Sequence, residues 1–167
     1  MTELADTSAW IWSRTPPGTR LRHEFDTALV DGEIATCDMV RMELLNSARN
    51  AQEFAEIRLE LDGLAVCPIG KEQWQRALWV YEELSKQGGA HQRSVKHADL
   101  LIAAAAEAAG LAVLHYDEDY ERIAQVTARR RAGWRRGRRS GDSAPEGDAQ
   151  YLPPLPVYTA QKALMRP

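Results

Sequence analysis

The sequence predicts a one-domain α/β fold with a mainly parallel sheet covered by helices on both faces. Three observations carry that expectation. Over the first 127 residues, short apolar runs bounded by Pro, Gly or an acid alternate with longer amphipathic stretches, the pattern of strands joined by helical crossovers. The chain has 167 residues, 44% of them hydrophobic and 27% charged, enough to bury a core without disulfides or structural metal. Finally, the apolar run from Leu100 to Leu114, interrupted by Glu107 and Gly110, opens on Asp99 and is followed by Asp117, Glu118, Asp119 and Glu121. The charges bracket the run and are not scattered through it.

Each element follows in order. TELAD is a short extended segment ending at Asp6, and TSAWIWS is a helical turn with Thr7 or Ser8 as N-cap. TPPG at 15–18 breaks the chain; the next stretch places Leu21, Phe25 and Leu29 at helical spacing before Gly32 stops it. EIATC is the second strand. From Asp38 to Gly63 one long helix is expected, with Met39, Met42, Leu45, Ala48, Phe54, Ile57 and Leu61 near one face. LAVCPI is the third strand, closed by Pro68, and KEQWQRALWVYEELSKQGG is an amphipathic helix built on Trp74, Leu78, Tyr81 and Leu84. HQRSVK reads as a polar loop. The helix HADLLIAAAAEAAG, the strand LAVLHY and the helix DEDYERIAQV complete the order β-α-α-β-α-β-α-α-β-α.

Charge is unevenly divided along the chain. The formal net charge is −3, yet residues 1–127 carry net −9 and residues 128–167 net +6. Cys37 and Cys67 are far apart and form no CxxC motif, which suggests neither a disulfide framework nor a zinc site. MTELADTSAW has acids where a leader peptide would be basic, and no apolar run approaches the ~20 residues that cross a bilayer. A cytoplasmic address without a membrane is the expectation.

In open parallel sheets, ligands gather beyond the carboxyl ends of the strands. Asp6 and Asp117 both fall at that edge, Asp99 in the first turn of its helix, and Glu43 about one turn into the helix after EIATC. Four carboxylates are thereby expected to converge. Taken singly, each has an ordinary explanation: Asp6 as an N-cap, Asp99, Asp117 and Asp119 as first-turn acids that complement a helix dipole, Glu43 as a solvated helix residue. Together, at the rim of a core, they would repel unless a cation neutralised them. Oxygen donors without a nearby histidine or thiolate favour Mg²⁺ or Mn²⁺ over zinc.

The motifs DTSAW after a short strand, RMELL in the helix after the second strand, VKHADLLIAAAAEAAG and LHYDEDYERIA occur in order over about residues 2–127. Together they resemble a PIN domain of the VapC toxin type. The resemblance implies an α/β/α sandwich and Mg²⁺- or Mn²⁺-dependent RNA cleavage, with Asp6, Glu43, Asp99 and Asp117 matching the acidic quartet. Asp119 matches an accessory acid, and Ser8 the position that helps hold the metal site. It also implies a VapB-like antitoxin as partner and a tendency to form a homodimer.

An acidic body is a poor binder of polyanions, so basic residues near the acidic motifs gain interest. Arg14, Arg41, Arg93 and Lys96 are the nearest in sequence, and Arg93 and Lys96, just before Asp99, are the expected RNA backbone contacts. Trp10, Trp12, Trp74 and Trp79 fit core packing or a dimer face better than base stacking. His91 and His97 flank the same loop, although metal-dependent hydrolysis needs no histidine, and His115 reads as a buried strand residue.

The resemblance stops near Ala128. Residues 129–139 hold seven arginines and no aliphatic residue larger than alanine, so residues 128–167 read as a basic, Pro/Gly/Ser-containing tail that is disordered. Such a tail is either an RNA-recruiting arm or a frame-altered ending, and in the second case the sheet would lack its edge strand. A receiver domain or a haloacid-dehalogenase-like phosphatase also places acids at strand ends; the first wants a late-strand lysine and the second an acid where Ser8 stands. The non-enzyme alternative is a catalytically impaired toxin-like domain that acts only as an antitoxin-binding partner.

Overall fold

A computed structural model of the chain describes residues 3–13, 20–87, 91–136 and 158–159. Its strands are β1 (Glu3–Ala5), β2 (Ile34–Cys37), β3 (Ala65–Cys67), β4 (Ala112–His115) and β5 (Tyr158–Thr159). They form one sheet in the order β3-β2-β1-β4-β5, and every pairing is parallel. The centre is β1, where Leu4 lies opposite Ala35 on one side and Val113 on the other. Leu4 and Ala5 are wholly buried, as expected of a parallel strand covered on both faces, and this is why the strands read as short apolar runs.

Helices make the crossovers. The path from β1 to β2 contains α1 (Thr7–Ser13) and α2 (Arg20–Val30), and that from β2 to β3 contains α3 (Asp38–Asn46) and α4 (Ala51–Asp62). Between β3 and β4 come α5 (Lys71–Ser85), the single turn α6 (His91–Ser94) and α7 (His97–Ala109); α8 (Asp119–Arg136) follows β4. The predicted α/β class and mainly parallel sheet therefore hold.

Three details depart from the expected elements. The long helix from Asp38 is two helices. Ser47 ends α3 with its N–H on the Leu44 carbonyl, and the Asn50 side chain caps α4 by accepting the Glu53 N–H at 2.9 Å while Glu53 accepts the Arg49 N–H at 2.8 Å. Apolar periodicity runs across the break and hides it, but the Asn-x-x-Glu spacing is a helix-start pattern. The HQRSVK loop contains the turn α6. An edge strand is present where a frame-altered ending would have removed it: α8 continues to Arg136, and Tyr158–Thr159 pairs with Leu114–His115. The short VYT run consists of residues that favour strands, though it is too brief to stand out in a Pro-rich tail. Of residues 128–167, on which the expected disorder falls, 128–136 belong to α8 and 158–159 to β5; residues 137–157 and 160–167 lie outside the described residues, as does Arg14.

The helix that matters most to the site is α7. Every residue from Asp99 to Ala106 is buried, and α7 packs against α3, α5, α8, β3 and β4. Four consecutive alanines, Ala103–Ala106, keep its surface slim where neighbours crowd it. Gly110 closes it with φ +68, a left-handed cap that lets the Leu111 N–H reach the Ala106 carbonyl at 2.9 Å. The one acid inside the apolar run is explained by its partner: Arg76 of α5 grips Glu107 through two hydrogen bonds, 2.6 and 2.8 Å, with its guanidinium 4.6 Å above the Trp79 ring.

Replacing Arg76 with alanine leaves the Glu107 carboxylate half-buried without its partner. We expect a loss of about 1–3 kcal/mol in urea unfolding, and most of it recovered in the double variant Arg76→Met, Glu107→Leu, since apolar residues of similar size often replace such a pair at little cost. A double variant as unstable as the single one would show that the pair's value lies elsewhere.

Candidate metal centre

Strand order decides where the acids meet. Because β1 and β4 are neighbours, the segments leaving their carboxyl ends are adjacent, and the Asp6 N–H extends the ladder by donating to the Leu114 carbonyl at 3.0 Å. The first turn of α7 brings Asp99 to the same edge. Asp117 lies two residues beyond β4, and Asp119 opens α8. Among the described residues, one oxygen from each of Asp99, Asp117 and Asp119 lies within 4.8 Å of the other two. Asp6 and Glu43 fall outside that trio, so the expected convergence of four is met as three clustered acids with Asp6 beside them.

Asp6 is held on both oxygens. Its Oδ1 accepts the Tyr120 hydroxyl at 3.0 Å, and its Oδ2 accepts the Ser8 hydroxyl at 2.7 Å and the Ser8 N–H at 3.1 Å. The Ser8 oxygen also accepts the Tyr116 N–H at 3.0 Å, so this side chain ties the end of β1 to the end of β4. Ser8 thus positions an acid and a backbone turn. Burial, with the charges of Asp6 and Asp99, pushes the Tyr120 hydroxyl well above its ordinary pKa, which keeps the proton it donates. Glu43, half-buried on α3, accepts the hydroxyl of Thr7.

Asp99 is the electrostatic extreme of the site. It is only 4% exposed, and its Oδ2 is buried without a hydrogen-bond partner. Burial first, then the negative charge of Asp6, pushes its pKa up to about 7, with Asp117 and Asp119 adding to the rise and Lys96 opposing it. Asp117 goes the other way. Burial works against its ionisation, but the Lys96 ammonium at 2.7 Å and the Asp119 N–H at 3.1 Å outweigh that and hold its pKa below the ordinary value. Asp119, also buried, accepts the guanidinium of Arg122.

The remaining residues singled out from the sequence are dispersed. Lys96 reaches the cluster, whereas Arg93 is exposed on α6. Arg41 of α3 reaches the last turn of α4, bonded to the Leu61 carbonyl at 3.0 Å and to Asp62. Trp10 is core, edge-on to Phe25; Trp12 leans on Tyr116, and Trp74 is exposed. His97 sits edge-on to Tyr81, and His115 is buried against the Tyr120 ring at 4.5 Å; the His91 side chain lies outside the described residues. Sequence reasoning missed Tyr120, Arg122 and Thr7. Arg122 stands three residues after Asp119, a spacing that pairs charges on a helix, but a tyrosine in a first turn reads as core.

The donor set is carboxylate oxygen throughout, with one buried oxygen lacking any partner, and this fits a hard divalent cation. Its electrostatics also fix a pH dependence. Asp99 has an ordinary pKa of 3.8 and about 7 in the fold; between those values the folded chain keeps a proton the unfolded chain has released, so stability falls as pH rises through the interval. For EDTA-treated protein we expect the melting temperature to fall from pH 5 to pH 8, and Asp99→Asn to flatten the fall and raise the value at pH 8 by roughly 5 °C. Magnesium should stabilise the native protein more at pH 8 than at pH 5. Identical pH profiles for the native protein and the Asp99→Asn variant would rule this account out.

Comparison with known proteins agrees with the geometry. The PIN domain profile matches residues 4–126. Ribonuclease VapC18 of Mycobacterium tuberculosis is 46% identical over 127 residues, covering 76% of this chain and 90% of that protein. Ribonuclease VapC21 of the same species is 35% identical over 125 residues, covering 74% and 87%. Among solved structures, DNA-bound VapBC from Salmonella typhimurium has a TM-score of 0.59 at 21% identity, covering 74% of this chain and 93% of that one, a likeness of fold. The matched segment runs from within β1 into α8 and contains the acids from Asp6 to Asp119, and the chain belongs to the PIN-domain family, in its VapC group.

Proposed function

We propose that this chain is a metal-dependent endoribonuclease, the toxin half of a toxin–antitoxin pair, hydrolysing RNA phosphodiesters at the acids Asp6, Glu43, Asp99, Asp117 and Asp119. The observation that carries the reading is the clustering of Asp99, Asp117 and Asp119, one oxygen of each within 4.8 Å of the others, around a buried Asp99 whose Oδ2 has no hydrogen-bond partner. Asp99, Asp117 and Asp119 would hold Mg²⁺ or Mn²⁺, with Asp6 and Ser8 beside them. When bound, such an ion supplies a water of lowered pKa and offsets charge on the phosphate.

The chain's own residues do the rest. Ser8 and Tyr120 lock Asp6, so its charge stays fixed at the switch between β1 and β4. Thr7 steers Glu43, leaving its second oxygen available to take a proton at the rim. Asp99 becomes an anion above about pH 7 unless a cation arrives first, which links metal affinity to pH. Lys96 and Arg93 are the proposed contacts for backbone phosphate, and they answer the repulsion between RNA and a body of net charge −9 over residues 1–127.

A VapB-like antitoxin is the proposed partner, supported by the VapBC assembly that shares the fold; a homodimer and a cytoplasmic location belong to the same reading. Among the described residues, no helix is long and apolar enough to cross a membrane. The proposed division into a nuclease domain, 1–127, and a basic tail, 128–167, rests on the profile ending at 126 and on the seven arginines between 129 and 139, whereas α8 crosses that boundary and β5 returns from the tail to the sheet.

Total cellular RNA incubated with the purified chain should yield discrete fragments with magnesium or manganese and none with EDTA. Asp6→Ala and Asp99→Asn should each lower the rate by about 100-fold or more while keeping the fold. Cleavage by Asp99→Asn at the native rate would refute the site. No cleavage by a folded, antitoxin-free sample would move the conclusion to a binding-only partner.

A further inference from the structure

The three clustered aspartates already have cations of the chain itself on two of their carboxylates. Asp117 is fully engaged: Oδ1 takes the Asp119 N–H and Oδ2 takes Lys96 Nζ at 2.7 Å. Asp119 Oδ1 takes Arg122, while Asp99 Oδ2 takes nothing. A divalent ion and the Lys96 ammonium are therefore rivals for the same carboxylate.

The two resident cations are held very differently. Arg122 sits one helical turn from Asp119, its side chain 36% exposed, and lies 3.7 Å from a second acid, Glu118. Lys96 comes from outside, at the N-cap of α7, with its side chain 65% exposed. An exposed lysine pair is weak and its flexible stem reorients easily. Lys96 also lies only three residues before Asp99, so displaced from Asp117 it remains tethered to the mouth of the site.

We propose that Lys96 is an exchangeable counter-cation of the site: its ammonium neutralises Asp117, is displaced when a divalent ion binds the three aspartates, and then contacts an RNA phosphate. The proposal rests on the nuclease reading above and adds an order to it, ion before RNA. Two opposite consequences follow for one substitution. Removing the ammonium removes a competitor of the metal and a ligand of the RNA, so one affinity rises as the other falls.

Calorimetric titration of Mn²⁺ into EDTA-stripped, dialysed protein tests the first consequence. Lys96→Ala should bind Mn²⁺ roughly two- to fivefold more tightly, the range that exposed ion pairs span. Lys86→Ala removes an equal charge whose acidic partners are Glu82 and Glu83, not the three aspartates, and should leave Mn²⁺ affinity unchanged. The second consequence is read with a fluorescent single-stranded RNA and Mn²⁺ by stopped-flow anisotropy, before cleavage sets in. Lys96→Ala should bind it more weakly, with the slope of log affinity against log salt reduced by about 0.7.

Unchanged or weaker Mn²⁺ binding by Lys96→Ala overturns the proposal and makes Lys96 a support for Asp117. Tighter Mn²⁺ binding with an unchanged RNA salt slope also overturns it, since the exchange requires both. If the native chain neither binds Mn²⁺ nor cleaves RNA, the nuclease reading falls and this inference with it. If the native chain does both and Lys96→Ala matches it in both, only the inference about Lys96 falls.

Discussion

Like charges forced together at the end of a buried sheet are the constraint around which this protein is arranged. A carboxylate resists burial because water solvates its charge better than protein does, and each acid beside it raises the cost. Asp99 shows the result directly, ionising near neutrality. Its neighbours each have partners: Asp117 has Lys96, Asp119 has Arg122, and Asp6 has the hydroxyls of Ser8 and Tyr120. Of these four acids, Asp99 is the one left with a buried, unsatisfied oxygen, and the proposed cation would relieve that asymmetry.

Holding such a cluster open demands rigid support, which α7 supplies. Its alanines allow it to lie deep among α3, α5, α8 and the sheet, and burial along eight successive residues leaves Asp99 little room to retreat into solvent. The Arg76–Glu107 clamp fixes the far end of the same helix. The energy that opposes charge repulsion is thus spread over the apolar contacts of one helix, while the acids sit at its first turn.

Much of this is legible in the sequence. Strands buried on both faces must be apolar, so LA, IATC and AVLH mark themselves; acids that follow such runs must lie at a strand end. That logic locates Asp6 and Asp117 at one edge, and the first turn of α7 adds Asp99. It fails where the cause is tertiary. The break between α3 and α4 is set by a local cap that continuous apolar spacing masks, and β5 is two residues whose pairing depends on a strand far away in sequence. Tyr120 reads as a core aromatic because its body is one, and only its hydroxyl serves Asp6. Helical phase brings Glu43 towards the same edge, but phase alone does not say that Thr7 draws it to one side.

The position of β5 ties the timing of synthesis to the state of the site. β4, which delivers the chain to Asp117, is flanked by β1 on one side and by Tyr158–Thr159 on the other. A ribosome adding about 5–20 residues per second makes β4 a few seconds before β5. For that interval the strand beneath the acids is an open edge with unpaired backbone groups, so the newborn chain passes through a form whose scaffold is unfinished at the place where its charges are most crowded.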